Sequence, residues 1–582
     1  MADVEPIPHP LTQQSRFRTV DRMDLMCWLF VSALIVLYVV VYGAVPPRFS
    51  LWSPYTPAVD EMVQLYQGGR NFAQRGFTVE WFLPDLSTSA SPRYHPHLYN
   101  HQPPGPQLAI GMLIRVFGEN YSLIRAVFAT IFFMGLICYA YVARTIVQRY
   151  AVGGQLALFV VAPLTILRLA DHPVYSVFPL CAFFPLLAIH RYRESGRRMW
   201  LFAAAAVVFL TANYLIYGPL IMTLVWWAGG TRLGLVPLRG RELLLLSVLV
   251  AAGVILHLLQ TVFVVGLGMF VKEIWFTVAN RATGIPTHEE LRALYEGLGF
   301  VLFGGHQFSP TRFKHAVWLA FWFPGRFVVV AIFGGLVFIA LSSEVWRLKS
   351  AGIHVSREFV QTVASVGKIT AWIGSAIAVP LVMFPAYASD YGLYGTNEFL
   401  LAMLVALAVA IAVRFIRQAR YPRSTKLVLS ALVIIAMVWL VGVQARAFAA
   451  LAAAPPDWTV QSPEQEGFAW VAEHLRGEVV MTNVDPIVVG FFTRESAYGG
   501  CHRESLARNG ADPRRCFVRS FRTNERAELP VPRAFVWYAF GQAFCRGDDC
   551  VTRAEIAEKY PTLFSTTRMA VFDLRPTDRP LK

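Results

Sequence analysis

Charge is scarce in this sequence. Only 15% of its 582 residues are Asp, Glu, Lys or Arg, against 55% hydrophobic residues; a soluble globular chain carries about 25% charged residues. Apolar runs recur through the first three quarters of the chain, and together with the low charge they exclude a soluble enzyme, a disordered chain and a fibrous protein. Acidic residues are the scarcer sign, Asp+Glu 37 against Lys+Arg 52, which leaves +15. In a soluble protein that excess points to nucleic acid. In a membrane protein it points to cytoplasmic loops, and position along the chain decides between the two.

Runs of about 17–25 apolar residues are long enough to cross a bilayer as helices. The first, 25–44, follows Arg16, Arg18 and Arg22. It is longer than a signal-peptide core and lacks a clear cleavage site, so an uncleaved anchor is expected. Further candidate spans begin near Leu123, Gln155, Val174, Leu201, Pro219, Leu243, Pro324, Ile369, Glu398 and Leu427. That makes about eleven helices of membrane-crossing length, with 201–227 short enough to form one broken or re-entrant unit.

Basic residues crowd alternate connections, among them Arg191, Arg193, Arg197 and Arg198, then Arg232, Arg239 and Arg241, then Arg414, Arg417, Arg420, Arg423 and Lys426. The segments on that side total twenty-one basic and eight acidic residues, while the opposite loops are nearly neutral. The positive-inside rule then places the N-terminus in the cytoplasm, and an odd number of spans places the C-terminus outside. The excess charge reports topology, and nucleic-acid binding loses its support.

Two long loops fall on the outer side, about 45–121 and 266–323, and long loops in compact proteins are usually functional. Beyond residue 448 the composition changes: 449–582 holds seventeen basic and seventeen acidic residues, a neutral mixture expected of a soluble domain. Its segment 463–476 alternates as an amphipathic helix and 478–482 reads as a strand, which predicts a small α/β fold. Expected overall is an α-helical polytopic membrane protein, with a membrane domain at 1–448 and an extracytoplasmic α/β domain at 449–582. Cys27, Cys138 and Cys181 lie in apolar spans, whereas Cys501, Cys516, Cys545 and Cys550 lie in the tail. Four cysteines on the oxidising side predict two disulfides. Pairing 501 with 516 and 545 with 550 is the simplest of three connectivities.

The first outer loop opens with Asp60-Glu61, continues through Arg70-Asn71 and closes with His101-Gln102-Pro103-Pro104-Gly105 and an apolar stretch ending Phe117-Gly118-Glu119. Adjacent carboxylates that merely face water are cheap, but the order of these features is less common. An acidic pair after the first span, an amphipathic helix, a Pro-Pro element, an apolar helix and a second span resemble the first loop of GT-C glycosyltransferases. The similarity is greatest to the polyprenyl-phosphate-sugar-dependent branch, which includes lipid A aminoarabinose transferases and protein O-mannosyltransferases. The span number, the short outer turn Asp171-His172 and the outer tail are similar to that group as well.

The resemblance implies that Asp60 is the catalytic base, with Glu61 supporting it or holding a metal. It implies that Asp171 orients the acceptor, with His172 assisting. Members of the group often carry Lys or His directly before Pro-Pro to reach the donor phosphate. Here Gln102 stands in that place, and His101, one residue earlier, is the substituted candidate. In the second outer loop Arg281, Arg312 and Lys314, interleaved with aromatics, fit a lipid-phosphate headgroup site or an ordinary aromatic belt with snorkelling cations. Arg70 is a further candidate for substrate binding. His95, His97 and His101 have no cysteine nearby and no helical i,i+4 pair, so they read as loop histidines. A divalent metal ion stays open, because some GT-C members use one and others do not.

Nucleotide sugars are cytoplasmic, so a transferase acting outside takes its sugar from a polyprenyl-phosphate lipid in the plasma membrane. The acceptor is a lipid, a glycan or a protein. The rival reading is a transporter or a flippase for lipid-linked glycans. Such proteins place ionisable residues near the bilayer midplane, where most of these spans carry none. A glycan polymerase or ligase and an inactive membrane scaffold complete the alternatives.

Overall fold

The computed structural model describes residues 59–78, 81–86, 103–148, 169–170, 172–215, 217–268, 270–271, 462–482, 486–499, 517–519, 526–528, 532–538 and 552–575, with separate positions between 29 and 39 and between 368 and 442. Seven helices precede the tail among these residues. Helix α1 (Val59–Arg75) and α2 (Gly105–Phe117) form a close pair. Met62, Val63, Leu65, Tyr66 and Phe72 of α1 are buried, and so are Gln67, Arg70 and Asn71. Glycines let the two backbones approach: a Cβ on Gly69 would lie 2.4 Å from Ile110 Cγ2, and one on Gly111 would lie 3.0 Å from the Gly69 carbonyl oxygen. Helix α2 begins behind Pro104 with Pro106 in its first turn, where a missing N–H leaves no bond unmade. It ends at Gly118, whose φ of +67° reverses the chain towards Glu119.

Helix α3 (Tyr121–Gln148) is capped by Asn120, whose side-chain oxygen accepts the Leu123 N–H at 3.1 Å. Next come α4 (Phe178–Ser195), α5 (Arg198–Ala212), α6 (Tyr217–Arg232) and α7 (Gly240–Val265). Among the described residues α3 and α7 contain stretches long and apolar enough to cross a membrane. Helices α5 and α6 have 15 and 16 residues and are separate, so 201–227 is a broken pair rather than one long span. Four aromatic rings, those of Phe132, Tyr139, Phe178 and Phe183, surround Phe399, and the Tyr139 hydroxyl donates to the Phe399 carbonyl at 3.0 Å. Trp372 stacks on Trp226 at 4.1 Å in the same way. Trp372 and Phe399 thus belong to the same core as the early helices.

Short turns join α4 to α5, α5 to α6 and α6 to α7, and they sort these connections between two ends. At one end Arg193, near the close of α4, pairs with Glu242 in the first turn of α7, beside the turns carrying Arg197, Arg198, Arg232 and Arg239. At the other end the Gly105 N–H donates to the Asn213 carbonyl at 3.1 Å, and the Trp81 ring meets Phe263 near the close of α7 at 4.6 Å. The α1–α2 unit therefore sits opposite the arginine-rich turns.

The tail contains α8 (Ser462–His474), β1 (Val479–Thr482), α9 (Pro486–Thr493), β2 (Ser496–Gly499), β3 (Phe517–Arg519), β4 (Arg526–Glu528), β5 (Ala534–Tyr538), α10 (Arg553–Lys559), β6 (Thr562–Ser565) and β7 (Met569–Asp573). Five strands form one sheet in the order β2-β1-β5-β7-β6. Strand β1 runs parallel to β2 and β5, and β7 runs antiparallel to β5 and β6. Strands β5 and β7 are buried along their whole length, which explains why 534–538 and 569–572 read as apolar runs without alternation. The helix and strand expected at 463–476 and 478–482 are α8 and β1.

Helices α3 and α4 meet where a Cβ on Gly135 would lie 2.4 Å from the Leu180 backbone nitrogen. Backbone cannot swing aside as a side-chain end can. Gly135→Ala should therefore destabilise the fold by about 1–3 kcal/mol through overpacking. Gly240→Ala, at a site with open space, should stay within about 0.5 kcal/mol. Thermal unfolding in detergent of both variants checks the contrast.

Candidate functional site

The acidic pair lies in the first turn of α1. Unpaired backbone N–H groups at a helix N-terminus favour negative charge there, by about 0.3–1 kcal/mol for an exposed carboxylate. Asp60 and Glu61 thus fall in the helix turn where backbone N–H groups are unpaired.

The middle of α1 is a buried polar network. Asn71 accepts from Gln67 Nε2 at 3.1 Å and donates to the Asp85 carbonyl at 2.5 Å, while the Asp85 carboxylate pairs with Arg75. Arg70, 6% exposed, joins three parts of the chain. Its Nη1 donates to Gln67 Oε1 at 3.3 Å and to the Phe491 carbonyl at 3.1 Å. Its Nη2 donates to Glu119 Oε2 at 3.2 Å and to the Tyr121 hydroxyl at 2.8 Å. The guanidinium also lies over the Phe491 ring at 4.2 Å, a cation–π contact. Its Nε is buried and has no partner among the described residues. Glu119 Oε2 accepts in addition from Tyr121 at 3.0 Å and from Arg494 Nη2 at 2.9 Å. Two arginines, one carboxylate and one phenol therefore hold α9 of the tail against α1 and the start of α3.

Gln107 of α2 is 1% exposed, and both of its amide atoms are without a partner among the described residues. Its Cγ would lie 2.9 Å from a Cβ on Gly68, so an unmet hydrogen-bonding demand sits between α1 and α2. Tyr214 closes on the same unit, with its ring carbon 2.8 Å from a Cβ on Gly105.

His172 is also buried, at 1% exposure. The Val174 N–H donates to its Nδ1 at 3.2 Å, which assigns the proton to Nε2, and its ring lies against Tyr175 at 4.6 Å. Burial, and then the positive charge of Arg125, push its pKa down to about 3. The ring is neutral near pH 7. It therefore carries no charge there.

Of the residues proposed from sequence, Arg70 and His172 have described side chains, and Asp60 and Glu61 have described backbone only. Asp171, His101, Arg281, Arg312 and Lys314 lie outside the described residues, as do His95, His97 and the four tail cysteines. Among the described residues no group of three or more His, Cys, Asp or Glu side chains comes together as a metal site. Sequence reasoning missed Glu119, Tyr121, Gln107 and Arg125. Arg125 carried a signal, since an arginine inside a 28-residue apolar helix is costly unless it is used. Glu119 and Tyr121 carried none, because the arginines they serve, Arg70 and Arg494, are tens to hundreds of residues away.

No family model matches this sequence, and no curated protein matches it. Among solved structures the chain is similar to ArnT from Cupriavidus metallidurans bound to undecaprenyl phosphate. The match covers 95% of this chain and 99% of that one, with 13% identity and a TM-score of 0.47.

The buried His172 links stability to pH. Its folded pKa of about 3 lies below the ordinary 6.5, so only the unfolded chain takes up a proton between those values. Stability should be unaffected by this group above about pH 7 and should fall by about 2 kcal/mol on going to pH 5. His172→Gln should remove that part of the acid-side decline. Unfolding temperatures of both proteins between pH 5 and 7 measure it.

Proposed function

We propose that the protein is an inverting glycosyltransferase that uses a polyprenyl-phosphate sugar at the outer face of the plasma membrane. The observation that carries this reading is the placing of α1: the helix that begins with Asp60-Glu61 is braced in a buried unit opposite the arginine-rich turns. If those turns are cytoplasmic, as the positive-inside rule directs, the acidic turn faces the side where lipid-linked sugars are the available donors. The undecaprenyl phosphate in the solved ArnT structure is the carrier part of such a donor, without the sugar.

In the proposed reaction Asp60 takes the proton from an acceptor hydroxyl as that oxygen attacks the anomeric carbon. The bond from the anomeric carbon to the phosphate oxygen breaks from the opposite face. Polyprenyl phosphate leaves with the electron pair, and configuration inverts. A helix N-terminus favours negative charge, which suits a carboxylate acting as base. Glu61 supports Asp60. Asp171 orients the acceptor, and the neutral His172 beside it assists. His101, Arg281, Arg312 and Lys314 supply positive or donating groups for the phosphate, whose departing charge such groups stabilise. A divalent ion near Glu61 is compatible with the same scheme. The acceptor is a membrane-proximal lipid, glycan or protein.

Purified wild type and Asp60→Asn, supplied with labelled undecaprenyl-phosphate hexoses and pentoses and with membrane-lipid acceptors, test the reading. Wild type should form product, and Asp60→Asn should lose at least about a hundredfold in rate. Undiminished transfer by Asp60→Asn would remove the base. Movement of intact labelled lipid across vesicles, without any transfer, would instead establish the flippase.

A further inference from the structure

The tail need not touch the acidic turn to affect it. Helix α9 reaches α1 through the Phe491 carbonyl and ring, and both contacts converge on Arg70, in the second half of α1. The other Nη of Arg70 is tied to Glu119 and Tyr121, where the chain enters α3. A rigid helix passes the position of one end to the other, so an anchor at residue 70 limits where residue 60 can sit. The fork of a guanidinium suits this task, because one planar group can serve acceptors from three elements in fixed directions. Arg494 adds a second tie to Glu119 and has a backbone φ of +63°. A left-handed conformation is costly for a residue with a side chain, and here it coincides with the docking contact.

We propose that Arg70 is a positioning residue: by clamping α1 to α9 and to the start of α3, it makes the docked outer tail part of the catalytic unit and sets the aim of the helix that begins with Asp60. The consequence for sugar transfer rests on the function proposed above, whereas the clamp does not. The tail is then required for turnover even if it never contacts donor or acceptor. This role also differs from substrate binding by Arg70. A binding residue changes KM, and a residue that aims the base changes kcat.

The test uses the full chain in detergent or nanodiscs and compares wild type with Arg70→Gln, Arg70→Lys and Arg494→Gly. Arg494→Gly removes the tie to Glu119 while relieving the left-handed backbone, so the tail itself keeps its fold. Amide hydrogen exchange is read in 62–75 and 486–493, and transfer kinetics are read with undecaprenyl-phosphate sugars. Arg70→Gln should raise exchange in both segments and lower kcat about tenfold or more with KM within about twofold. Arg70→Lys should fall between it and wild type. Arg494→Gly should raise exchange in 486–493 and lower kcat by about threefold, the smaller effect expected of a more exposed ion pair.

Unchanged exchange in 62–75 in both Arg70 variants would overturn the clamp. Raised exchange with unchanged kcat would overturn its role in aiming the base, and a rise in KM alone would return Arg70 to substrate binding. Failure of wild type to transfer any sugar would remove the glycosyltransferase reading, and the exchange data would still decide the clamp.

Discussion

A guanidinium cannot be buried without partners. Taking an ion out of water costs several kcal/mol unless opposite charge and hydrogen-bond acceptors surround it, and Arg70 is 6% exposed. Its acceptors come from its own helix, from the turn before α3 and from the tail, some four hundred residues later in the chain. Satisfying one charge therefore requires three segments to meet. The position of α1 and the seating of the tail on the bundle both follow from that requirement.

The bundle around this junction is organised by close backbone contact and by direction. Glycines at 69, 111 and 135 remove side chains where helices touch, so α1 meets α2, and α3 meets α4, at distances a Cβ would forbid. The short turns between α4 and α7 then separate chemistry by end. Arginine-rich turns and the Arg193–Glu242 pair lie at one end. The acidic turn's helix, the Pro-Pro element, the Asn213 turn and the tail lie at the other. In a membrane such a division is also a division between compartments.

Local pattern was a good guide to elements and to single residues such as Arg70, and no guide to which residues meet. Candidate spans near Leu123, Leu201, Pro219 and Leu243 correspond to α3, α5, α6 and α7, because an apolar run of sufficient length has few alternatives to a helix. The α8–β1 order was readable from the change of period, from helical alternation to a short apolar run. The polar junction was not. Glu119 looked like the end of a loop, and Phe491 like one more apolar residue, since each takes its meaning from a partner distant in sequence. His172 was singled out beside Asp171, yet its neutral state follows only from burial and from Arg125, neither of which a run of letters displays.

Composition and periodicity alone determined that the chain is helical and apolar, that its basic residues segregate into alternate connections and that a neutral α/β tail follows. These are consequences of local chemistry, in which apolar length, charge position and turn residues act within a few turns of chain. Only the tertiary structure decided that α1 is a buried polar strut rather than a solvated loop helix, and that the tail docks on it through Arg70, Glu119 and Arg494. The reason is desolvation: whether a charge is costly or stabilising depends on which distant groups surround it, and folding alone assembles them.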